Sequence, residues 1–160
     1  TTPLQLANIT AILGNKGNRY KPRIIHAIGE PGNKEITLQQ PRHIGIVAKE
    51  NPDNWTIIID AMEKVVHSLR GTARGINRGL EYKVAGKTGT AQVFGIKEDE
   101  EYDEEKIAKK LRDHALFISF APVDEPKIAV AVIVENGGSG GAVAAPIARV
   151  VMDAYLLKED

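Results

Sequence analysis

Apolar positions recur along this chain with two periods, and their alternation predicts helices and strands in succession. Near the start, Leu6, Ile9 and Leu13 lie at helical spacing behind Thr2 and Pro3, an N-cap and first-turn pair, and Gly14 and Gly17 end this short buried helix. Tyr20 to Ile28 carries β-branched and aromatic residues around Pro22, and Pro31-Gly32-Asn33 marks a turn before Ile36-Thr37-Leu38, which predicts short strands or extended chain. Between Gln40 and Asn51 no period emerges, so no regular element is expected there. The clearest helix opens at Pro52-Asp53-Asn54, with Trp55, Ile58, Ile59, Met62, Val65, Val66 and Leu69 on one stripe and Gly71 closing it. An aromatic on such a stripe is a core residue, so Trp55 is read as packing rather than as a ligand platform.

Gly71 to Arg78 reads as a flexible basic loop whose arginines, Arg74 and Arg78, are solvated and are left out of the candidate site. It leads into a glycine-interrupted strand, Val84 to Gln92. The most polar segment, Lys97 to Lys110, follows. Asp103 can cap a thin amphipathic helix there, with Ile107, Ala108 and Leu111 on its apolar side and Glu105 paired with Lys109; its acidic run is read as a solvated face inserted between strands. His114 to Phe120 and Lys127 to Val134 are near-continuous apolar runs joined through Pro122-Val123-Asp124-Glu125-Pro126, which predicts a hairpin of buried strands. Gly137 to Gly141 is expected to be a hinge-like connection before a last amphipathic helix built on Pro146, Ile147, Val150, Val151, Ala154 and Leu157. Strands apolar on both faces need both faces covered, so the fold class is α/β of the α+β type, an antiparallel sheet flanked by helices.

Within Val84-Ala85-Gly86-Lys87-Thr88-Gly89-Thr90-Ala91-Gln92, one lysine stands among hydroxyls and glycines that let another molecule approach the main chain. That combination suits an anionic ligand. A phosphate-binding P-loop would need a glycine at position 81, where Glu81 stands, and a helix after the lysine, whereas Gly89 to Gly95 favours extended chain. The bland alternative for Lys87 is an exposed lysine that guards a sheet edge against aggregation.

A second use of Gly-Lys-Thr is the K-T-G element that accompanies S-x-x-K and S-x-N in the penicillin-recognising serine enzymes. Lys87-Thr88-Gly89-Thr90-Ala91-Gln92 resembles the K-[ST]-G-T-A-Q string of class B penicillin-binding proteins. Lys106-Ile107-Ala108, Leu111-Arg112-Asp113-His114, Phe120-Ala121-Pro122 and Glu135-Asn136-Gly137-Gly138 resemble the elongation-specific penicillin-binding protein 2 group, and the likeness runs from Thr2-Pro3-Leu4-Gln5 almost to the end. The resemblance implies a partial penicillin-binding or serine β-lactamase-like transpeptidase fold, with residues 1–160 forming the carboxy-terminal portion of one transpeptidase domain. It implies a D,D-transpeptidase that cross-links peptidoglycan stem peptides through an acyl-serine and binds β-lactams. By matching position, Lys87 supplies positive potential, Thr88 binds the substrate carboxylate, Gly89 keeps the approach open, and Thr90 gives its backbone N–H to the oxyanion hole with its hydroxyl facing the carboxylate.

Ser68, Ser119 and Ser139 are the only serines, followed three places later by Gly71, Pro122 and Ala142, so none opens S-x-x-K; none begins S-x-N either. The nucleophile is therefore expected upstream, outside this chain, and the piece on its own is expected to be inactive. The resemblance also implies elongation-complex membrane proteins as partners, and a place on the periplasmic face of the inner membrane through an amino-terminal anchor and pedestal with no counterpart here. Two other readings stay open: a non-catalytic scaffolding or binding fragment, and a relative that hydrolyses or senses β-lactams.

Composition narrows this little. The 160 residues carry zero net charge, which gives no field to recruit nucleic acid or an anionic membrane surface, and the absence of cysteine removes thiol catalysis, disulfides and thiolate zinc sites. No apolar run approaches the roughly 20 residues that span a bilayer. His26, His43, His67 and His114 fall in separate elements without the close pair of a helix-borne zinc site, so each is expected to be structural; no metal and no cofactor are expected.

Overall fold

The first helix, α1 (Pro3–Gly14), begins as its sequence dictates: the Thr2 side chain accepts from the Gln5 backbone N–H, and the Gln5 side chain accepts from the Thr2 N–H, a reciprocal capping box. The computed structural model describes residues 1–31, 36–47, 50–93 and 111–158. After α1 come β1 (Asn18–Tyr20), β2 (Ala27–Gly29), β3 (Ile36–Leu38), β4 (His43–Ile46), α2 (Asp53–His67), a 3-10 turn (Arg74–Asn77), β5 (Ala85–Ala91), β6 (His114–Ala121), β7 (Ile128–Val134), a π-helical turn (Gly140–Ala144) and α3 (Ala145–Leu156). Among the described residues β1 pairs with β4 and β2 with β3, while β5-β6-β7 form a three-stranded antiparallel sheet. The expected α+β architecture and the β6–β7 hairpin are both present.

The β6 sequence packs both faces of that sheet, as its unbroken apolar run requires. Ala115, Phe117, Ser119 and Ala121 alternate onto one face and are fully buried, against Ala145, Ala148 and Met152 of α3 together with Val66, Ala73, Ile76 and Val84. Phe120 points to the opposite face and meets Ile59 and Met62 of α2, Ala85 and Leu13 of α1. Gly14 lets α1 come this close, since a Cβ there would stand 3.2 Å from the Phe120 ring. Each buried phenylalanine contributes about 2 to 3 kcal/mol of transfer free energy, which makes β6 the centre of the core.

Several expectations are corrected. β4 forms within the stretch expected to be irregular; with four residues, one of them glycine, it has no legible period and exists through its partner β1. Residues 71–78 are not a flexible loop: Ala73 and Ile76 are buried in the core, and the Arg74 Nη1 donates to the Leu69 carbonyl at 2.6 Å, closing the end of α2. The stripe of α2 is narrower than expected, with Trp55, Ile59, Met62 and Val66 buried but Leu69 88% exposed beyond the helix end. In α1 the buried positions are Thr10 and Gly14, while Ile9 is exposed.

In α3 the buried face differs from the expected stripe. Its buried face is Ala145, Ala148 and Met152, whereas Ile147, Val150, Val151 and Leu157 of the expected stripe are exposed. This helix is apolar around most of its circumference, and close approach to β6 selects the face with small side chains, where Ser119 Oγ meets Met152 Sδ at 3.6 Å. The turn expected over Pro31-Gly32-Asn33 and the acidic helix expected around Asp103 lie outside the described residues, except for Pro31 and Leu111 at their ends.

A polar clamp fixes α3 to the 3-10 turn. Arg149 pairs with Asp153 at 2.6 Å and donates to the carbonyls of Ile76 at 2.8 Å and Gly79 at 3.0 Å, while the Tyr82 hydroxyl donates to Asp153 at 2.5 Å. Burial, then the hydrogen bond and negative charge of Asp153, push the Tyr82 phenol well above its ordinary value. A raised phenol stays protonated in the folded protein after the unfolded chain has begun to ionise. The stabilisation is therefore complete at neutral pH and is lost as pH rises above about 10. Arg149→Met should cost roughly 2 to 3 kcal/mol in chemical denaturation, because it takes the guanidinium from the carbonyls of Ile76, Arg78 and Gly79 and leaves the partly buried Asp153 carboxylate with the Tyr82 hydroxyl alone. An unchanged midpoint would mean the clamp contributes nothing.

Candidate active site

β5 is set in place before it presents anything. Val84 and Ala85 are fully buried, the Val84 N–H donates to His67 Nε2 at 3.0 Å, and the strand pairs with β6 along its whole length, from Ala85 opposite Phe120 to Ala91 opposite His114. In the order β5-β6-β7 it is an edge strand, so among the described residues its outer side carries no partner strand and can accept an extended peptide. Gly86 is required by packing, since a Cβ there would come within 2.5 Å of the Phe117 ring.

The four residues singled out from the sequence are contiguous, and the register divides their side chains between two faces. Lys87 and Gly89 stand opposite Ile118 and Leu116; Thr88 and Thr90 stand opposite Phe117 and Ala115. Lys87 is exposed, and its ammonium donates to the Thr88 carbonyl at 2.5 Å. Among the described residues it makes no ion pair, so its charge is available to an anion. Thr88 is half-buried, and its hydroxyl lies 3.1 Å from the hydroxyl of Thr72. Gly89 is half-buried and Thr90 exposed at the strand's outer end.

Three neighbours, Thr72, Gly140 and Gly141, were missed by reasoning from the sequence. Thr72 sits in the loop taken as flexible. Gly140 and Gly141 sit in the segment taken as a hinge, yet their main chain is pressed against the site. A Cβ on Gly140 would stand 2.3 Å from the Leu116 carbonyl oxygen and 2.5 Å from that of Gly89; one on Gly141 would stand 2.2 Å from the Thr72 carbonyl oxygen. The run of glycines was the available signal, and it marks close approach rather than mobility.

None of the three serines is offered as a nucleophile. Ser68 donates to the Lys64 carbonyl at 2.6 Å at the end of α2, Ser119 is buried against Met152, and Ser139 caps the π-helical turn by accepting from the Ala142 N–H at 3.3 Å. Three of the four histidines make structural contacts through their rings: His67 as described, His114 Nδ1 accepting from the Asn136 N–H at 2.9 Å, and His43 edge-on to Tyr20 with ring centres 5.4 Å apart. No group of three potential metal ligands occurs among the described residues. A groove of about 580 Å³ lined by Leu4, Ile24, Ile25 and Arg42 has no residue of β5 in its lining.

A helix-covered antiparallel sheet with Lys-Thr-Gly-Thr on its edge strand is the arrangement expected of a penicillin-binding transpeptidase fold. The comparisons agree: the chain belongs to the penicillin binding protein transpeptidase domain family, which matches residues 1–153. It is 42% identical to the peptidoglycan D,D-transpeptidase MrdA of Haemophilus influenzae over 97% of its own length and 24% of that protein. Against MrdA of Escherichia coli K12 the identity is 39%, covering 99% of this chain and 25% of that one. Among solved structures it is similar to Pseudomonas aeruginosa PBP2 in complex with WCK 5153, at 41% identity and a TM-score of 0.75, covering 99% of this chain and 31% of that one. The ceftriaxone acyl-enzyme of penicillin-binding protein A from Mycobacterium tuberculosis matches at 31% identity and a TM-score of 0.74, over 97% of this chain and 32% of that one. This chain thus spans about a quarter of the length of the curated relatives it matches.

The tight turn over β5 yields a prediction. Gly140→Ala should lower stability by roughly 1 to 3 kcal/mol, because its methyl meets main-chain oxygens that cannot move aside, whereas Gly75→Ala, with no atom within 4 Å of the new methyl, should leave thermal unfolding unchanged or slightly improved. Equal melting of the two variants would contradict the close approach.

Proposed function

We propose that this chain is the carboxy-terminal portion of the transpeptidase domain of a penicillin-binding protein 2-type peptidoglycan D,D-transpeptidase, and that β5 supplies the K-T-G wall of its active site. The observation that carries this reading is the Lys87-Thr88-Gly89-Thr90 edge strand, held rigidly by β6 and backed by Thr72 and Gly140-Gly141, in a chain of this family.

In the proposed reaction a serine contributed from outside this chain attacks the penultimate D-alanine carbonyl of a stem peptide. The carbonyl electrons move onto oxygen, and the tetrahedral adduct collapses as the peptide nitrogen takes a proton and leaves as free D-alanine. An acceptor amine then attacks the acyl-serine, forms the cross-link and returns the serine hydroxyl. The Thr90 backbone N–H stabilises the developing oxyanion, Thr88 and the Thr90 hydroxyl hold the terminal carboxylate, and Lys87 lends positive potential across the gap. Gly89 leaves the strand open to the peptide. A β-lactam enters by the same route, its ring amide standing in for the scissile bond and its carboxylate for that of D-alanine. The acyl-enzyme form of the mycobacterial relative supports the covalent step.

The intact protein would act at the periplasmic face of the inner membrane, held by a segment outside this chain and working beside elongation-complex membrane proteins. Naming of the Haemophilus and Escherichia relatives as peptidoglycan D,D-transpeptidases favours transpeptidation over β-lactam hydrolysis. By itself, with its three serines engaged structurally, the piece has no nucleophile to assist.

Acyl transfer gains most from preorganised donors aimed at the developing charge, and losing one costs about 100- to 1,000-fold in rate. Lys87→Ala in the intact protein should therefore slow acylation by a fluorescent penicillin about 100-fold while thermal unfolding stays put, since the side chain is exposed. Unchanged acylation would remove Lys87 from the mechanism.

A further inference from the structure

Thr72 lies sixteen residues before Thr88 and in a different element, yet their hydroxyl oxygens are 3.1 Å apart. The position is enforced from both sides. Gly71 packs so tightly on the end of α2 that a Cβ would stand 2.3 Å from the Val65 carbonyl oxygen, and its N–H donates to the Ser68 carbonyl at 3.0 Å. Ala73 is buried and donates its N–H to the Val65 carbonyl at 3.0 Å. Gly141 closes the third side, its main chain against the Thr72 carbonyl and the Thr88 methyl group. Thr72 itself remains exposed, so its hydroxyl faces the same solvent as the site.

Two hydroxyls at this distance share one proton between them, and the direction of sharing decides what Thr88 can do. If Thr88 donates to Thr72, it turns lone pairs toward an incoming carboxylate and repels it. If Thr72 donates to Thr88, the Thr88 proton is free to be given to the carboxylate, and the two hydrogen bonds polarise each other in the same sense. An anionic ligand selects the second arrangement.

We propose that Thr72 is a positioning residue for substrate recognition: its hydroxyl donates to Thr88 and thereby aims the Thr88 proton at the ligand's carboxylate. This rests on the reading of Thr88 as the carboxylate-binding residue, which extends here to a second hydroxyl from the loop after α2. It also accounts for the tight main-chain anchoring of Gly71 and Ala73, which a solvated connecting loop would not need.

The test is acylation of the intact protein by a penicillin with a free carboxylate and by its methyl ester. Thr72→Val should slow reaction with the free acid roughly three- to tenfold, the loss of one net hydrogen bond. It should leave reaction with the ester unchanged, and Thr72→Ser should restore the free-acid rate to within about twofold. Thr72→Val added to Thr88→Val should cost nothing further, because the pair acts as a unit. Equal slowing on acid and ester would make Thr72 a structural residue and overturn the proposal, as would a free-acid rate unaffected by Thr72→Val while Thr88→Val is slow. A Thr88→Val protein that reacts normally with the free acid would overturn the reading of Thr88 itself. Should Thr72→Val not fold, Thr72→Ala makes the same comparison.

Discussion

Main-chain contact without intervening side chains is the constraint on which this structure depends. Gly140 lies against the carbonyls of Gly89 and Leu116 and Gly141 against that of Thr72, each at a distance that excludes a Cβ. These approaches bring three separate stretches of chain, the loop after α2, β5 and the turn before α3, to one line. A single methyl at any of these glycines would push the stretches apart, and close-packed interiors yield little to such a demand. Placing Lys87, Thr88 and Thr90 at fixed positions is therefore a consequence of backbone packing and not of the polar residues themselves.

That dependence explains what the sequence made legible. β6 and β7 could be read because eight and seven consecutive apolar-rich residues leave few alternatives, and β5 because its glycines and threonines oppose helix. The N-cap of α1 is local and was visible in Thr2-Pro3, whereas the reciprocal bond to Gln5 was not. The face of α3 was not: with large aliphatic residues on several sides, periodicity could not reveal that Ala145, Ala148 and Met152 face β6, because the choice is made by the partner surface. β4 was equally hidden, since a four-residue strand is defined by pairing with β1. At the site, the four contiguous residues were legible through their resemblance to a known string. Thr72, Gly140 and Gly141 were not, because they reach the site only through contacts distant in sequence, and glycine-rich stretches read equally as hinges or as close approaches.

On the proposed reading, the chain presents half of a division of labour. Acyl transfer needs an activated oxygen and a surface that recognises the acyl donor and stabilises the oxyanion. On the proposed reading the sheet serves recognition and oxyanion stabilisation, because an edge strand buttressed on its inner side is already held in place when a peptide binds along it. Its three serines, Ser68, Ser119 and Ser139, are engaged at a helix end, in the core and in a cap, so on that reading the activated oxygen comes from elsewhere.

The most direct measurement is mass-spectrometric mapping of the penicilloyl group on the intact protein after incubation with a penicillin. The account predicts one acyl adduct on a serine that precedes Thr1 in the parent sequence and none on peptides from these 160 residues. An adduct on Ser68, Ser119 or Ser139 would contradict it, and with it the claim that this sheet serves a nucleophile supplied from elsewhere.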